Sequence, residues 1–227
     1  MDWLHQGARI GLHALIRRSV RRAFHSVLVA GAEETSQQPG PLLLCPNHSN
    51  WWDGFLCLHL MALLPERRIA LMQEQQHLDR YAFFRYAGVF GIDLETTRSA
   101  VGGLRTALDL LDRPETALWM FPQGELLPAR APIVAQPGVS YLAAKREISP
   151  VPVGIRYDWT AESRPTVLVR FGSPLEGEPR PEKLSAAIEN LLAGIDEDLA
   201  AADLQAYQPI DPPRVSINER WDRWNGR

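Results

Sequence analysis

The stretch Cys45–Phe55, CPNHSNWWDGF, sets a histidine and an aspartate five positions apart with two tryptophans between them. A carboxylate bonded to one imidazole nitrogen fixes the tautomer and raises the basicity of the other nitrogen. His48, oriented in this way by Asp53, could take a proton from a hydroxyl group. That is the base-and-orienter half of a triad. Ser49 is adjacent, but no G-x-S-x-G elbow surrounds it, so no enzyme nucleophile is implied. The same two residues also fit a satisfied polar pair in a core. A metal centre would need more ligands; with no second cluster and no C-x-x-C pair, no metal is expected. The spacing adds a condition. Five residues of regular helix rotate by about 500°, leaving the two side chains about 140° apart. They meet only if the backbone turns between them, as at a strand-to-helix junction.

The surrounding pattern supplies such a junction. Residues 42–45, LLLC, read as a buried strand, Pro46-Asn47 as a turn, and a helix starts near Asp53. Ligands gather at the C-terminal ends of strands in parallel α/β sheets, which is where His48 would stand. Further strands are expected at 69–72, 117–121, 151–157 and 166–172. Helices are expected near Leu78, Ser99 and Pro137 and from Pro181 to about Ala202, where Leu184, Ile188, Leu191, Ile195 and Leu199 recur at helical spacing. This alternation predicts an α/β fold, with a mostly parallel or mixed central sheet flanked by helices.

An amphipathic N-terminal helix, roughly Leu12 to Leu28, is expected to precede it. Leu12, Ile16, Val20, Ala23, Phe24 and Val27 fall on one side; Arg17, Arg18, Arg21, Arg22 and His25 fall on the other. Such a helix suits either the headgroup boundary of an anionic membrane or a place on the domain with its basic face in water. GAEETSQQPG, residues 31–40, reads as a polar linker. The expected organisation is a helix over 1–30, an α/β domain over 40–205, and a tail over 206–227 in which Trp221 and Trp224 could dock on the body or on lipid.

Bulk properties narrow the classes. With 227 residues, the chain can build one large domain with a sizeable core. A net charge of −3 argues against a general nucleic-acid binder. Two cysteines, Cys45 and Cys57, give no disulfide framework and point to a reducing compartment. No run of about 18 uncharged apolar residues suggests a membrane span, and arginines interrupt the apolar start where a signal peptide would be continuous.

NHSNWWD resembles the N-H-x-x-x-x-D signature of the glycerolipid acyltransferases. Three further blocks follow in order: GVFGID (88–93), WMFPQGE (119–125) and SPVPVGI (149–155), so the resemblance covers about 42–157. It implies direct transfer of an acyl group from a thioester, acyl-CoA or acyl carrier protein, to a lipid hydroxyl. His48 would be the general base and Asp53 its orienter, with no cofactor beyond the co-substrate. It also implies a membrane partner, reached peripherally or monotopically from the cytoplasmic face, and so favours the lipid reading of the first helix. The chain departs from the pattern where the family handles its acceptor. Gln123 stands where the third block usually has Glu, Leu126 where it has Arg, and Leu94 where the second block continues with Arg. Gln123, Gly124 and Glu125, with Arg98, Arg130, Trp51 and Trp52, are the expected substrate-binding residues. Either Arg98 and Arg130 rebuild a phosphate site, or the acceptor has no phosphate there, as in a glycolipid or carotenoid glycoside; the second is favoured. A lipid-binding protein with reduced catalysis and a thioester hydrolase are the competing readings.

Overall fold

The computed structural model describes residues 2–159, 162–212, 221 and 224. Eight strands form one sheet: β1 (Ser26–Ala30), β2 (Leu42–Pro46), β3 (Arg68–Glu74), β4 (Val89–Ile92), β5 (Thr116–Trp119), β6 (Val151–Asp158), β7 (Thr166–Phe171) and β8 (Gln208–Pro209). Their order is β4-β3-β5-β2-β6-β7-β1-β8. All neighbours are parallel except β6 with β7 and β1 with β8, so the sheet is mixed. Seven α-helices are described: α1 (Asp2–Ala23), α2 (Ala32–Ser36), α3 (Asp53–Leu60), α4 (Gln75–Arg80), α5 (Thr97–Leu111), α6 (Pro137–Arg146) and α7 (Pro181–Ala201).

The central strand β2, LLLCP, is apolar throughout and buries both faces, as a parallel strand covered on two sides must. In β2, Leu42 and Leu44 join the core layer under α1 and α3, while Leu43 and Cys45 join the layer under α5, α6 and α7. The period of two along the strand thus builds a three-layer molecule. Both cysteines are free and buried.

Two expectations at the N-terminus are corrected. The first helix ends at Ala23, not Leu28, and Ser26–Ala30 becomes a strand inside the sheet, parallel to β7 from Ser26↔Thr166 to Ala30↔Arg170. Val27 and Leu28 fit a helical stripe and a strand equally well; pairing with β7 decides between them. The linker at 31–40 contains the short helix α2.

The apolar stripe of α1 is also spent internally. Ile16, Val20 and Phe24 are buried in the core, where α1 packs on α3 and on a 3-10 turn at Ala82–Ala87, and the arginines at 17, 18, 21 and 22 are exposed. Of the tail, β8 closes the sheet against β1, Trp221 and Trp224 are exposed, and the remaining positions from 213 on lie outside the described residues. Among the described residues, no helix is long and apolar enough to cross a membrane.

Candidate active site

Strand β2 ends at Pro46 and α3 begins at Asp53, so the intervening loop makes the turn that the His48–Asp53 spacing demands. Asn47 pins the loop's start. Its buried side chain accepts the Ile155 N–H at 2.7 Å and donates to the Ile155 carbonyl at 3.1 Å, extending the β2–β6 ladder by a side-chain rung. At the other end, the Trp52 N–H donates to Asn50 Oδ1 at 3.1 Å, a local turn that leads into α3.

Asp53 is fully buried in the first turn of α3. Its Oδ2 meets His48 Nδ1 at 2.9 Å and accepts the N–H groups of Ser49 at 2.7 Å and Asn50 at 2.8 Å. Its Oδ1 accepts the Tyr157 hydroxyl at 2.5 Å. A carboxylate ringed by donors acts as an acceptor, so His48 Nδ1 carries the proton of their bond. That leaves the lone pair on Nε2, for which no partner exists among the described residues. The His48 side chain is 22% exposed. Burial pushes the Tyr157 phenol far above its ordinary value, and the charge of Asp53 adds to the shift, so Tyr157 remains a donor.

The loop after β5 closes on the same histidine. Phe121 stacks on the imidazole with centroids 4.1 Å apart and 20° between planes. Gln123 Oε1 accepts the His48 N–H at 2.7 Å, and the His48 carbonyl accepts the Leu127 N–H at 3.1 Å. Gly124, whose N–H turns back to the Phe121 carbonyl, has φ of 76°, where a glycine is favoured.

The predicted site residues are therefore distributed unequally. His48 and Asp53 are brought together. Gln123 is buried, and its carbonyl oxygen is committed to the backbone of the histidine. Gly124, Glu125 and Leu126 lie on the exposed turn that follows. Trp51 is 61% exposed; Trp52 is half-buried, with its ring 5.4 Å from Phe24 and 5.3 Å from Phe55. Arg98, in the first turn of α5, and Arg130 are exposed, and among the described residues no hydrogen bond or ion pair joins either to the His48 loop. Sequence reading missed Asn47, Phe121 and Tyr157. The Asn of the NH pair carried a usable signal, since a buried strand end needs a polar side chain to continue its ladder; the two aromatics carried none. Among the described residues, no group of three or more His, Cys, Asp or Glu could hold a metal ion.

A family model described as acyltransferase matches residues 27–156, more than half of the chain. No curated protein matches it. The fold is similar to the crystal structure of the 1-acyl-sn-glycerophosphate (LPA) acyltransferase PlsC from Thermotoga maritima. The TM-score is 0.59 at 20% identity, covering 86% of this chain and 83% of that one. The chain belongs to the acyltransferase family.

Proposed function

We propose that this protein is an O-acyltransferase that moves a fatty acyl group from a thioester, acyl-CoA or acyl carrier protein, to a lipid hydroxyl. The observation that carries the reading is the His48 Nδ1–Asp53 Oδ2 contact of 2.9 Å on a carboxylate surrounded by donors, with Nε2 left without a partner among the described residues. His48 Nε2 takes the proton of the acceptor hydroxyl as its oxygen attacks the thioester carbonyl carbon. The tetrahedral oxyanion then collapses, the carbon–sulfur bond breaks, and the thiolate leaves with the proton from the imidazolium. The products are an ester and a free thiol.

A buried amide and an exposed leucine, Gln123 and Leu126, in place of the usual acid and arginine support an acceptor without a phosphate at that point, such as a glycolipid or carotenoid glycoside. The reading also puts the protein peripherally or monotopically at the cytoplasmic face of a membrane. With the main stripe of α1 buried, the support shifts to the exposed Ile10 and Leu15, the exposed Arg18, Arg21 and Arg22, and the exposed rings of Trp51 and Phe83. Replacing those three arginines by Gln should weaken binding to anionic vesicles by on the order of tenfold or more. Unchanged binding in sedimentation would remove α1 from the membrane contact.

The decisive experiment gives purified protein acyl-CoA or acyl carrier protein together with a panel of lipid alcohols. Thiol and lipid ester should appear in equal amounts. His48→Ala should slow the transfer by about 10³–10⁴-fold while the protein stays folded. Full transfer by the folded variant would refute the mechanism, and free fatty acid as the sole product would make the protein a thioester hydrolase.

A further inference from the structure

The two oxygens of Asp53 are served unequally. Oδ2 takes the His48 ring and two backbone amides, whereas Oδ1 takes a single bond, from the Tyr157 phenol. We propose that Tyr157 is a positioning residue that sets the basicity of His48, by drawing charge off the far oxygen of the Asp53 carboxylate. The inference rests on the reading of His48 as the base. Tyr157 lies one residue beyond the stretch that the family model matches, so that match assigns it nothing.

The geometry makes the coupling direct. Asp53 is fully buried, and a bond from a neutral hydroxyl to a carboxylate is strong where water is absent. At 2.5 Å the bond is at the short end for an O–H donor on a carboxylate. Tyr157 and the His48 loop are also referenced to one strand. Asn47 grips both backbone groups of Ile155, two residues before Tyr157 on β6, so the phenol and the dyad keep their spacing. Phe24 backs the phenol ring at 5.7 Å.

No other group nearby offers the same control. From α3, one turn beyond Asp53, Cys57 faces the carboxylate, but burial and the charge of Asp53 push its thiol well above the ordinary value and keep it neutral. From the loop after β5 come Phe121 and Gln123, both uncharged, while Glu125 is exposed. The junction of α1 and β1 contributes Phe24. Apart from His48 itself, Tyr157 is thus the one side-chain donor on Asp53 among the described residues.

A carboxylate relieved of charge attracts a proton on His48 less strongly. Removing the phenol should therefore raise the midpoint at which His48 titrates, and a stronger donor should lower it. A ring that merely fills space would change stability and leave that midpoint alone. The test is an NMR titration of the His48 ring in the whole protein, in three forms: wild type, Tyr157→Phe, and a form with 3-fluorotyrosine at position 157, whose hydroxyl is the stronger donor. Tyr157→Phe should raise the midpoint by roughly one pH unit and the fluorinated form should lower it. The acid limb of the pH profile of kcat/KM for acyl transfer should move with each. An unchanged midpoint in folded Tyr157→Phe overturns the proposal. If that variant does not fold, the fluorinated protein keeps both ring and hydroxyl, and an unchanged midpoint there overturns it equally. The titration needs no substrate. Shifted midpoints in a protein that transfers no acyl group would refute the proposed function and still establish the coupling.

Discussion

Helix α3 has a histidine–aspartate contact near each end, and the two differ in what a base requires. At the start, Asp53 Oδ2 meets His48 Nδ1 at 2.9 Å; near the finish, His59 Nε2 meets Asp211 Oδ2 at 3.3 Å. The other partners of Asp53 are two amides and a phenol, none of them charged, so its charge remains available to His48. Asp211 also accepts from the Arg17 guanidinium, at 3.0 Å, and that cation largely cancels it. The His48 side chain is 22% exposed with Nε2 open, whereas that of His59 is 3% exposed and spends its Nε2 on the carboxylate. Burial, with the charges of Arg17 and Arg21, lowers the pKa of His59 against the pull of Asp211. Proximity of His to Asp is therefore not the signature of a base. An uncompensated carboxylate and an open nitrogen are.

Breaking the carboxylate of each pair should give opposite phenotypes. Asp53→Asn turns one acceptor oxygen into a donor among groups that all donate, and frees His48 to take the wrong tautomer. It should slow acyl transfer by on the order of 10²–10³-fold. Asp211→Ala should leave kcat of the folded protein unchanged and cost about 1–3 kcal/mol of stability, because His59 loses its acceptor inside the core. Denaturant titration paired with initial rates reads both numbers. Comparable losses of rate in the two variants would erase the distinction between the pairs.

The same contrast explains what the sequence could reveal. The strand–turn–helix around His48 was legible, because apolar LLLC, Pro46 and the demand for a turn all lie within a dozen residues. Tyr157 was not, since it reaches Asp53 only because β6 lies beside β2, an adjacency that chain order does not dictate. The role of Gln123 was hidden for a related reason. As part of the third block, Gln123 reads as a substrate-binding residue, and only the turn's direction sends its oxygen under His48. The second pair was out of reach altogether: His59 sits on an apolar helix, and Asp211 follows a two-residue strand, Gln208–Pro209, without a pattern of its own. What failed were contacts between distant segments and the ambiguous stretch at β1, where tertiary pairing overrode local periodicity.

The smallest expected effect sharpens the comparison through protons. His59 has a folded-state pKa below its ordinary value of about 6.5. Between those two values, the unfolded chain binds a proton that the folded chain refuses, so stability rises with pH across that window and falls on acidification. Asp211 acts lower on the scale. Burial alone would raise its pKa, but the hydrogen bond from Arg17 and the charges of His59, Arg17 and Arg21 outweigh that and lower it. Its contribution is present above about pH 3.9 and is lost as pH falls through the folded-state value. Comparing pH 7 with pH 5.5 therefore isolates the histidine. His59→Gln keeps a side-chain N–H donor for Asp211 and cannot titrate, so its stability should fall less over that interval than the wild type's, by a fraction of what Asp211→Ala costs. Parallel falls would mean that His59 binds protons alike in the folded and unfolded chain, and a wild type that falls less than His59→Gln would mean that His59 is already charged in the core. The pair would then be a true ion pair, and the openness of Nε2 at His48, rather than the charge left on its carboxylate, would be what separates the two ends of α3.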